Sequence, residues 1–69
     1  MSEYWEVEDA LDAALDQAKK VHNAVIEFKG NNPNPDLELA YEGDRLLALC
    51  RGQLKLTIEA KAVFNKYIE

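Results

Sequence analysis

Apolar residues step along the first half of the chain by threes and fours: Tyr4, Val7, Leu11, Ala14, Ala18, Val21, Val25 and Phe28. Two apolar positions in every seven place these side chains on one stripe of an α-helix. The pattern predicts a helix over about residues 3–29, with Tyr4, Leu11, Ala18 and Val25 at one core position and Val7, Ala14, Val21 and Phe28 at the other. Ser2 is placed to cap it. Glu3, Glu6, Glu8, Asp9, Asp12 and Asp16 crowd the end where a helix dipole favours negative charge, and Lys19, Lys20 and Lys29 follow toward the other end.

The second half carries the same period over a wider arc. Leu39, Ala40, Leu46, Leu47, Cys50, Leu54, Ile58, Phe64 and Ile68 form one broad stripe, with Leu49, Leu56, Ala60, Val63 and Tyr67 as a shoulder beside it. Together they cover roughly 220° of the helix circumference, about twice the apolar arc of a surface helix. Gly30-Asn31-Asn32-Pro33-Asn34-Pro35 is the only cluster of helix breakers, with Gly30 suited to a left-handed helix end and Asn34-Pro35 to an N-cap and first helical position. The expected fold is all-α: one antiparallel two-helix hairpin over residues 1–69, with a helix at about 3–29, a turn at 30–34 and a helix at about 35–68. Such a hairpin is expected to complete a bundle by association.

Folding about that turn pairs residues whose numbers sum to about 64 to 65, setting Ala18 against Leu46 and Leu47, Leu11 against Leu54, and Gly43 against Val21. The second helix, roughly 50 Å long against roughly 40 Å for the first, then overhangs at its end. Its last residues become a bare tip. Leu49 and Leu56 of the shoulder, with Val63, Phe64, Tyr67 and Ile68 of the tip, are the candidate partner-binding residues, acting as anchors of a helix laid against another chain. Gly52 falls on the polar side, where a local kink is one possibility.

Composition narrows the functional classes. In 69 residues there is one cysteine, Cys50, and one histidine, His22, so neither an intramolecular disulfide nor a histidine–cysteine zinc set is available to reinforce a small core. Both read as packing residues. Ser2 is the sole serine, there is no phosphate-cradling glycine loop, and His22 has Lys19 three residues upstream where a bundle metal site needs glutamate. The reading is therefore a non-enzyme with no cofactor and no metal. A net charge of −5 and a pI near 4.7 disfavour direct nucleic-acid binding, which needs clustered cations. The longest apolar run is five residues, Leu46 to Cys50, too short to span a membrane, and the acidic N-terminus is not that of a signal peptide. A cytoplasmic location is expected.

Leu37-Glu38-Leu39-Ala40-Tyr41-Glu42-Gly43, followed by Leu46-Leu47-Ala48-Leu49-Cys50-Arg51, Leu54 and Glu59-Ala60, resembles the second helix of the exodeoxyribonuclease VII small subunit, a short acidic helical hairpin. The likeness covers about residues 37–60. It implies a non-catalytic accessory subunit that decorates a larger chain. The turn Asn32-Pro33-Asn34-Pro35-Asp36-Leu37 is similar to that of type III secretion needle subunits, and the chain's length and aromatic ending resemble their hairpin co-chaperones. A small acidic phage-type inhibitor, with the residues from Glu3 to Asp16 as its charged surface, and a simple homo-oligomeric four-helix bundle are the remaining readings.

Overall fold

The computed structural model describes residues 3–33 and 35–69. Two α-helices, α1 (Tyr4–Asn31) and α2 (Leu37–Ile68), lie antiparallel in a rod of 51 × 18 × 15 Å. The hairpin read from the periodicity is the fold, but both inner helix ends differ from expectation.

Gly30 is helical, and no described glycine has positive φ. The helix stops at Asn32 instead: its backbone N–H and its side-chain Nδ2 both donate to the Phe28 carbonyl, at 2.9 and 3.0 Å. Pro33 follows, and a residue before proline is biased away from helical geometry. At the far side of the turn α2 starts at Leu37, two residues later than expected. Asp36 is its N-cap, the carboxylate accepting from the Glu38 and Leu39 backbone N–H groups at 2.9 and 3.4 Å. Two expected caps, Ser2 and Asn34, lie outside the described residues; Glu3 takes the N-cap position of α1 without a side-chain capping bond.

Between the helices, α1 offers Glu8, Leu11, Leu15, Ala18, His22, Val25 and Lys29; α2 offers Ala40, Gly43, Leu47, Cys50, Leu54, Thr57, Lys61 and Phe64. Leu11, Ala18 and Val25 are where the sequence puts them. The other column is not Val7, Ala14, Val21 and Phe28, which are exposed, but the neighbouring set one residue on. Turning α1 this way half-buries Leu15 and lets Lys29 pair with Asp44 across the helices, while Lys61 of α2 pairs with Asp12. Each lysine lays its alkyl stem along the seam and keeps its ammonium at the edge.

Both ion pairs join residues whose numbers sum to 73, so the register is about two turns from the one expected. Ala18 and Thr57, the two buried residues among those described, share the mid-level of the rod. Gly43 lies against the Lys29 stem rather than Val21: a Cβ there would be 3.8 Å from Lys29 Cε. The surplus length of α2 consequently sits at the turn, where Leu37 and Tyr41 are exposed. The expected overhang at the C-terminal end is absent, because Tyr4 and Ile68 line a common hollow there. α2 runs unbroken through Gly52.

Candidate partner-binding face

In an antiparallel helix pair, matching flanks of the two helices fall on the same side of the layer. Asp12 and Asp44 mark one side, since each receives a lysine reaching over from the facing helix. That side also carries Lys19 and Arg51, with Trp5, Ile26 and Ile58 scattered among the charges.

The opposite side is different in kind. α1 contributes Val7, Ala14, Val21 and Phe28, and α2 contributes a second seven-residue repeat: Leu39, Leu46, Leu49, Leu56, Ala60, Val63 and Tyr67. At the turn end Phe28, Pro33 and Leu39 line one hollow that reaches across the seam to Lys29 and Asp44. Nearer the termini, Leu56, Ala60, Val63, Phe64 and Tyr67 line a second shallow apolar hollow beside Glu59. Every element of this face is held by a rigid helix, and the face runs most of the length of the rod.

Of the candidate binding residues, Leu49, Leu56, Val63 and Tyr67 stand on this face, with 65%, 64%, 61% and 85% of their surface exposed. Phe64 is half-buried in the seam, and Ile68 is exposed at the rod end, where it lines a hollow with Tyr4. The α1 half of the face, and Leu39 and Leu46 of α2, were assigned by periodicity to the hairpin's own core. The signal that separates them is charge: only the alternative α1 column carries Lys29 level with Asp44.

The polar groups of the seam are few. The Thr57 hydroxyl donates to the Gln53 carbonyl at 2.8 Å. His22 is half-buried with Nε2 enclosed and lacking a hydrogen-bond partner, and Cys50 is a half-buried free thiol close to the same level. Among the described residues no group of three or more His, Cys, Asp or Glu could hold a metal ion. No helix among them is long and apolar enough to cross a membrane.

These features define a helical hairpin: a single layer two helices wide, charged on one side and apolar on the other. The chain matches no known protein family, no curated protein and no solved structure.

Proposed function

We propose that the chain is a non-catalytic interaction module that works by laying its apolar face against helices of another protein chain. One observation carries the proposal. Among the described residues of the lone hairpin no side chain is fully buried, while leucines, valines and aromatics at helical spacing cover one side. Chains of this size have a marginal core and commonly add burial or covalent reinforcement, and a continuous apolar patch on a small protein marks an interaction surface. Each large side chain buried there contributes roughly 1.5 to 3 kcal/mol, so several are comparable to the whole stability of a small domain.

An accessory subunit riding on a larger chain, the role implied by the likeness to the exodeoxyribonuclease VII small subunit, uses this face. A needle-type co-chaperone receiving a helical client uses it in the same way. The test is a pull-down with the tagged wild-type chain and with Leu49→Glu/Leu56→Glu. Recovery of bound chains is expected to fall at least tenfold for the variant. Equal recovery with unchanged helicity overturns the proposal.

A further inference from the structure

The apolar face is flanked by features that suit one occupant. We infer that a second copy of this chain covers it, stacked with its turn at the opposite end, so that two hairpins form a four-helix bundle with α1 on α1 and α2 on α2. The inference rests on the interaction-module reading and names the partner.

Size is the first support. A face 51 Å long and 18 Å wide has an outline of roughly 900 Å² per chain, close to the ~800 Å² per partner of a stable specific interface. A single further hairpin of the same dimensions covers it without remainder.

The second support is a glutamine near mid-length on each half of the face. Gln17 lies on the α1 side and Gln53 on the α2 side, both exposed and within one turn of the level of Ala18 and Thr57. A primary amide donates and accepts, so it pairs with its own kind. Stacking a second hairpin about the rod's midpoint brings Gln17 beside the partner's Gln17, satisfying a group that an unrelated apolar surface leaves bare.

Charge sets the direction. Residues 3–16 and 55–69, which share the terminal half of the rod, hold eight acids and three cations, a net −5; residues 17–54, which form the turn half, hold five of each. Stacking like ends sets −5 beside −5 within about one to two Debye lengths, ~8 Å each at physiological salt. Stacking opposite ends sets −5 beside zero. Side-chain size agrees, since Ala14 then meets Val21 and Val7 meets Phe28.

The experiment uses the full chain. Sedimentation equilibrium at micromolar concentration is expected to give twice the 7.8 kDa chain mass, and Leu49→Glu/Leu56→Glu to weaken association at least tenfold. Mild oxidation of Gln17→Cys in a Cys50→Ala background, which leaves the apolar residues intact, is expected to give a covalent dimer on its own. Cross-linking only when Gln17→Cys is mixed with Gln53→Cys refutes the stated direction. A helical wild-type monomer refutes the second copy. If that monomer still recovers another chain through Leu49 and Leu56, the module reading stands; if it recovers none, both fall.

Discussion

Leu54 and Leu56 are two residues apart on one helix, yet they face different surroundings, and this makes them a matched pair of probes. Leu54 is half-buried in the seam between α1 and α2, whereas Leu56 is 64% exposed in the lone hairpin. Were the hairpin to stand alone, about one third of the roughly 1.5–3 kcal/mol available from burying a leucine would be realised at Leu56, so Leu56→Ala would cost only ~0.5–1 kcal/mol. With the apolar face covered, Leu56 becomes a core position and the same change costs about 2–5 kcal/mol per chain, like other buried Leu→Ala substitutions. Helix propensity is common to both sites and cancels in the comparison. Urea unfolding followed by circular dichroism, at equal chain concentrations, reads the two variants against wild type. The expected result is a loss at Leu56→Ala at least as large as at Leu54→Ala. A loss within ~1 kcal/mol at Leu56, beside a much larger one at Leu54, would refute a covered face.

Three further outcomes follow from local geometry. Gly52→Ala meets nothing within 4 Å and replaces a glycine at a mid-helix site, so it should add about 1 kcal/mol of stability and raise the thermal midpoint by several degrees; an unchanged or lower midpoint would show that the site is not simple open helix. Asp36→Ala removes the two backbone bonds that open α2 and should cost ~0.5–2 kcal/mol, recovered in large part by Asp36→Ser. His22→Leu removes an enclosed nitrogen that has no hydrogen-bond partner from an otherwise largely apolar level of the seam and should stabilise by up to ~1–3 kcal/mol in chemical denaturation; a loss of stability would mean that the imidazole has a partner in solution.

Both helices were legible in the sequence because their apolar period is unbroken over many turns. Their relative placement was not, for two physical reasons. First, α1 has two adjacent columns compatible with a seam through Leu11, Ala18 and Val25, one holding Val7, Ala14, Val21 and Phe28 and the other Glu8, Leu15, His22 and Lys29. Periodicity favours the more apolar column. The structure instead uses the mixed one inside the hairpin, where Lys29 and Lys61 reach acids across the seam, and turns the apolar one outward. Second, the register depends on where the helices stop near the turn. Gly30 and Asn34-Pro35 look like the boundary, but Asn32 and Asp36 hold it through hydrogen bonds that local residue preference does not rank above the alternatives. That displacement moved the surplus length of α2 from its end to its beginning. Leu49, Leu56 and Val63 share a face whatever the register because they are seven residues apart, whereas the bare tip of Val63, Phe64, Tyr67 and Ile68 depended on the overhang.

The hairpin's need for a covering chain is tested most directly by its thermal unfolding midpoint across a hundredfold range of chain concentration. Association that accompanies folding makes the midpoint rise with concentration, and the wild-type chain is expected to show that rise while Leu49→Glu/Leu56→Glu loses it. A wild-type midpoint that stays constant across the range, with a sharp transition and full helicity at the lowest concentration, would contradict the account.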